Sequence, residues 1–162
     1  MKLCCDQSIC IFLREAFSID RDITLELKAG LTPVRVSRIA DRINGVFTAP
    51  VVPYHTDAPL PTVAEAARAL NLDPAHIGFD GHGLASLEGG PRFFYVPVKT
   101  RAALEKSKVL EPYWSEVIKP MNGVDAAYLY TRGGDGPNAA FRARMYAPTG
   151  SIPEDPATGS AT

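Results

Sequence analysis

The stretch Ala126-Ala-Tyr-Leu-Tyr-Thr131, then Gly133-Gly-Asp-Gly-Pro137, then Phe141-Arg-Ala-Arg-Met-Tyr146, decides the fold class. Its first piece suits a pleated, half-buried backbone, and its middle is made of turn residues. In the last piece Phe141, Ala143 and Met145 alternate with Arg142, Arg144 and Tyr146, so the whole reads as a β-hairpin. By that alternation Arg142 and Arg144 form the solvent face of the second strand. The other reading has them line a cleft for an acidic substrate, together with Arg92.

Similar patterns lie upstream. Ile23, Leu25 and Leu27 alternate with Thr24, Glu26 and Lys28. Ala29-Gly30 interrupts, and Val34 and Val36 then alternate with Arg35 and Ser37, which predicts a second hairpin. A third strand, Gly45-Val-Phe-Thr48, stops at Ala49-Pro50. Leu84 to Leu87 and Arg92 to Val96 flank the turn Gly89-Gly-Pro91, with Pro97 marking a strand end or an edge. Helices are short. Thr62-Val-Ala-Glu65 has the form of a capping box, and Val63, Ala66, Ala67 and Leu70 make one apolar stripe that ends near Asn71. Further short helices are expected at 8–17, 100–107 and 112–119. Hairpins interspersed with short helices give an α+β class with antiparallel or mixed sheets. Four prolines from Pro50 to Pro61, without periodicity, mark a linker and divide the chain into 1–52 and 53–162.

Composition excludes several function classes. With 162 residues, 46% hydrophobic and 22% charged, the chain can bury a core and is not wholly disordered. Seventeen basic against 18 acidic residues, a net charge of −1, argue against a nucleic-acid binder or a polybasic membrane-surface protein. No apolar run approaches the roughly 20 residues of a membrane span, and no secretory signal is visible, so a cytoplasmic protein is expected. Cys4, Cys5 and Cys10 are odd in number and crowded at one end, which suits no disulfide framework. His55, His76 and His82 are scattered, so no metal site is expected. Asp80-Gly-His-Gly83 reads as turn chemistry rather than a catalytic loop. Gly133-Gly-Asp-Gly136 lacks the following Lys-Ser or Lys-Thr of a nucleotide loop.

The candidate chemistry is at the carboxyl end, Pro153-Glu-Asp-Pro-Ala-Thr-Gly-Ser-Ala-Thr162. Asp155 precedes a proline and is therefore held extended. Thr158-Gly-Ser-Ala161 has the look of a loop entering a helix, where small residues let backbone N–H groups reach an anion. A carboxylate beside N–H donors can move a proton next to a carbonyl that those donors hold. A plain turn with an N-cap is the alternative reading.

This segment, with Arg144-Met-Tyr-Ala-Pro-Thr149 before it, resembles the second signature of the phenazine-biosynthesis (PhzF-like) protein family, which has the diaminopimelate epimerase fold. The similarity extends to Leu25-Glu-Leu-Lys-Ala-Gly-Leu-Thr-Pro-Val34, Phe47-Thr-Ala-Pro50, Gly89-Gly-Pro-Arg-Phe-Phe-Tyr-Val-Pro-Val98 and Tyr128-Leu-Tyr-Thr-Arg132. The resemblance implies two pseudo-symmetric lobes of mixed sheet, each around a central helix, with a cleft between them. It implies a cofactor-independent isomerase or epimerase acting on a small carboxylated substrate, without metal. Carried over by position, Asp155 positions the substrate and assists proton transfer, and Ser160 matches the serine of the signature. Thr158, Gly159 and Ala161 match the anion-holding loop.

Two departures are visible. The Ser-Glu-Thr-like motif that carries the family's acid/base glutamate is missing, and so is Gly-His-Pro-Thr. The chain matches the middle of a family member at about half the usual length, with both lobes incomplete, as from a truncated or frame-shifted gene. Three residues after Gly159 are too few for a helix of the roughly 12 residues that stability requires. An inactive fragment is therefore expected, with a possible homodimer. The rival expectation, of a different class, is a non-catalytic fold remnant that acts as a dimerising or binding protein.

Overall fold

In the computed structural model the described residues are 20–27, 30–39, 42–49, 51–124, 126–150, 153–155 and 158–159. The helix expected at 8–17 and the three cysteines lie outside them. The chain divides into two compact units, Met1–Val52 with Ala157–Thr162, and Pro53–Pro156.

In the first unit, strands β1 (Arg21–Leu27), β2 (Gly30–Ile39) and β3 (Arg42–Phe47) form an antiparallel sheet in that order. The expected hairpin is present, with Ile23 opposite Val34 and Leu27 opposite Gly30, whose φ of 123° favours glycine. Val34 and Val36 are each 2% exposed and pack with Ile23, Leu25, Ile43 and Phe47. Strand β3 starts earlier than its apolar run suggested, because Ile43 and Asn44 pair with Arg38 and Ser37. On the other face Leu31 and Ile39 stay exposed.

The second unit is a six-stranded mixed sheet in sequential order: β4 (Tyr54–His55), β5 (Ala85–Glu88), β6 (Arg92–Pro97), β7 (Ala126–Arg132), β8 (Phe141–Tyr146) and β9 (Glu154–Asp155). Only β6 and β7 pair parallel, and the crossover between them carries two short helices. Pro97 is the last residue of the interior strand β6, so it marks an end and not an edge. The helices are α1 (Val63–Ala69), α2 (Arg101–Lys106) and α3 (Tyr113–Ile118). Thr62 caps α1 as a full capping box. Its hydroxyl accepts from the Glu65 N–H at 3.3 Å, and the Glu65 carboxylate accepts from the Thr62 N–H at 2.8 Å.

The three helices share one core with one face of the sheet. Ala66, Ala67, Leu70, Leu104, Trp114 and Met121 pack with Phe94, Val96, Ala127, Leu129 and Tyr146. Burying the larger of these side chains, such as Leu70, Phe94 and Met121, contributes about 1.5–3 kcal/mol each, and the small alanines of α1 let its backbone lie close. Val63 does not join the stripe expected of it: the capped first turn, 62–65, is exposed throughout, and Ala69 is buried instead.

Strand β8 corrects the alternation reading. Tyr146 is 5% exposed in the helix-side core, whereas Phe141 at the start of the apolar set is 43% exposed. Arg142 and Arg144 share the Tyr146 side, so they are not a solvent face. The physical reason is hydrogen bonding. The Arg144 guanidinium donates from Nη1 to the carbonyls of Leu104, Glu105 and Ser107, each at 3.0 Å, which lets a cation lie against the core edge. Arg142 binds Asp135, which also accepts from Arg101 at 2.6 Å, so the turn after β7 is tied to α2. Gly134 is required in that turn, since a Cβ there would meet the Ala139 methyl at 2.4 Å.

Candidate functional site

Register across the second sheet sets the surroundings of Asp155. Ala85 pairs with Tyr95, Tyr95 with Tyr128, Tyr128 with Met145, and Met145 with Asp155. Paired residues share a face, and successive residues alternate. This rung therefore lies on the face opposite the helices, and its neighbour Ser86–Phe94–Ala127–Tyr146–Glu154 faces them. Asp155 is half-buried at the outer end of its rung, as are Met145, Tyr128 and Tyr95.

Beyond Met145, the same rung becomes aromatic. The Tyr95 and Tyr128 rings lie 5.6 Å apart, and Phe93 meets Tyr95 at 6.3 Å. Burial first, then the neighbouring phenols Tyr128 and Tyr130, push the Tyr95 hydroxyl up to about 12. At neutral pH it is a hydrogen-bond donor and not a base. Farther along the same face Tyr130 is held above the ordinary phenol value by burial. Its hydroxyl lies 2.8 Å from Nδ1 of His82. His82 closes a tight turn from Phe79, with φ of 47° at Asp80 and 81° at Gly81, a conformation that suits an Asp-Gly pair. The turn reading of this segment holds, and its side chains add to the aromatic face: His82 stacks on Phe79 at 4.9 Å, and Tyr130 meets Phe141 edge-on at 5.7 Å.

The arginines considered as substrate anchors are committed elsewhere. Arg92 donates to the Glu88 carboxylate at 2.6 and 2.9 Å and to the Asn122 carbonyl at 2.7 Å. It walls an open depression of about 610 Å³ that Phe93 and Ala126 also line. Arg144 meets Glu154 and the α2 carbonyls. The Arg144–Glu154 pair is the part that sequence reasoning missed. A strand alternation that places Arg144 with Tyr146, and the Glu immediately before Asp155, were the available signals.

Thr158 and Gly159 belong to the other unit and are half-buried there. Ser160 and Ala161 lie outside the described residues. Among the described residues no three His, Cys, Asp or Glu gather as a metal site, and no helix is long and apolar enough to cross a membrane.

Comparison with known proteins adds the family. The chain is 35% identical over 95 residues to an uncharacterized isomerase of Mesorhizobium japonicum, a match covering 57% of this chain and 32% of that protein. Its fold resembles the crystal structure of the Bacillus anthracis phenazine biosynthesis protein of the PhzF family, with TM-score 0.78 and 20% identity over 99% of this chain and 55% of that one. A predicted epimerase from Pseudomonas aeruginosa is similar at TM-score 0.66 and 19% identity, over 95% of this chain and 51% of that one. The chain thus spans about half the length of these solved relatives and aligns with a third of the curated one. The sequence model of the phenazine biosynthesis-like protein family, PhzC-PhzF, matches residues 8–162, and the chain belongs to that family.

Proposed function

We propose that this chain carries the Asp155 half of a cofactor-independent isomerase site that shifts a proton on a small carboxylated substrate. The supporting observation is the position of Asp155: within the family match, on the sheet face that the helices leave open, at the end of a rung that carries Met145, Tyr128 and Tyr95. In this reading Asp155 and Ser160 handle the reacting group, and Thr158, Gly159 and Ala161 hold the substrate anion with backbone N–H groups. The division near residue 52 separates successive lobes of a cytoplasmic enzyme, with residues 157–162 grouped with the first. A proton shift needs an acid and a base, and the family's glutamate motif is missing from this sequence. Alone, the 162-residue chain has negligible turnover.

The test is solvent-deuterium incorporation at the α-carbon of a dihydro-hydroxyanthranilate-type acid, followed by NMR. The pure chain is expected to show none, and detectable turnover would refute the inactivity. A version extended at both ends is expected to exchange, and Asp155→Ala in it to lose about 10²–10⁴-fold. Exchange unaffected by that substitution removes Asp155 from the mechanism.

A second reading, a non-catalytic remnant that dimerises, draws on the outer face of the first sheet, where Leu31 is 70%, Ile39 64% and Val46 41% exposed. Light scattering that gives a dimer, lost in Leu31→Asp, supports it. A monomer at all concentrations excludes it.

A further inference from the structure

Asp155 lies on a strand of only two residues at the outer edge of its sheet. Typical strands run to about 5–6 residues, so the ladder to Met145 and Tyr146 is a short hold on this strand. The other side chain of β9 supplies a stronger one. Glu154 accepts from Arg144 Nε at 2.7 Å and from Nη2 at 2.9 Å, a two-pronged pair. Nη1 of the same guanidinium donates to three carbonyls at the carboxyl end of α2, where the helix dipole favours a cation. The guanidinium also lies 5.0 Å from the Tyr146 ring centroid, and the Tyr146 hydroxyl donates to the Ser107 carbonyl at 2.8 Å. Acceptors from α2, the segment after it and β9 therefore fix the plane of the fork, and the Arg144 side chain is 24% exposed.

Successive strand residues point to opposite faces. Pinning Glu154 on the helix side therefore sets the height and rotation of Asp155 on the open side. We propose that Arg144 is a positioning residue for Asp155, acting through Glu154. The proposal rests on the reading of Asp155 given above. Lysine cannot replace it, because a point charge offers neither the fork nor the simultaneous reach to three carbonyls.

Hydrogen exchange and NMR on the 162-residue chain test this, with Arg144→Lys and Glu154→Gln as variants. Glu154→Gln keeps the side-chain shape and serves if Arg144→Lys does not fold. Both are expected to lower protection of the Asp155 amide about tenfold and to move its carboxyl carbon resonance, with the amides of β7 unchanged. The exchanged pair Arg144→Glu with Glu154→Arg is expected not to restore either signal, since the α2 carbonyls lose their donor. Wild-type protection and an unmoved Asp155 resonance in Glu154→Gln overturn the proposal. Equal loss across β7 and β9 also overturns it, because that outcome marks a general structural role. These readouts need no turnover, so failure of the Asp155→Ala exchange test stays separable from failure of the clamp.

Discussion

The rung Ser86–Phe94–Ala127–Tyr146–Glu154 and the rung Ala85–Tyr95–Tyr128–Met145–Asp155 run side by side across the same five strands and meet opposite environments. On the first, every residue except the terminal Glu154 is buried under the helices; on the second, all five are half-buried. The helix-side rung closes its polar ends within the unit, as Tyr146 does with Ser107 and Glu154 with Arg144. The open rung presents phenols, a thioether and a carboxylate. Stability and candidate chemistry are thus divided between two faces of one sheet, one residue apart.

That division breaks if the two faces cost the same to cut into. Phe94 is 0% exposed, and Phe94→Ala is expected to destabilise by about 3–5 kcal/mol in urea unfolding. A Tyr95→Ala loss of equal size would make the open face part of the core. Next, Arg144→Ala is expected to cost about 2 kcal/mol, the range for hydrogen bonds to a charged group, read as the same midpoint shift. Thr62→Ala removes the α1 cap and is expected to cost about 1 kcal/mol, without altering the spectrum of the Tyr95–Tyr128 face.

The pH effects are smaller. Arg144 beside Glu154 holds that carboxyl below its ordinary range, the hydrogen bond from the guanidinium outweighing desolvation. A depressed carboxyl contributes stability above its unfolded value, and that contribution is lost as pH falls through the lower folded value. Glu154→Gln should therefore flatten the acid limb of a melting-temperature profile, and an unchanged limb would dissolve the pair's role. At the alkaline end the Tyr95 phenol, raised to about 12, contributes stability present below the ordinary phenol value and lost as pH rises through its own. Absorbance at alkaline pH should show tyrosines that titrate late, Tyr130 and Tyr146 among them, and Tyr95→Phe should remove one of these late components.

Much of this architecture is legible locally. Alternation from Ile23 to Val36 reports a hairpin because side chains on a strand have a period of two, and Thr62 with Glu65 reports a helix start because four N–H groups there need acceptors. Val63 departs from its stripe because the capped first turn of α1 is exposed, and β8 departs from its alternation for a different reason. A periodic pattern divides residues into two sides but does not say which side meets the helices. At β8 the more polar set turned inward, because carbonyls of Leu104, Glu105 and Ser107, far earlier in the chain, satisfy the guanidinium of Arg144. No property of Arg144 and its neighbours in sequence contains those acceptors.

The amino-acid order alone determined the class of fold, the hairpins, the cap on α1 and the aspartate to suspect, since each depends on spacing within a few residues or on a string shared with a family. Tertiary structure decided that Asp155 stands on the open face at the end of a rung of phenols, and that Glu154 and Arg144 hold its strand from behind. Those relations depend on register between strands and on carbonyls brought in from a distant helix, so they exist only once the chain has folded.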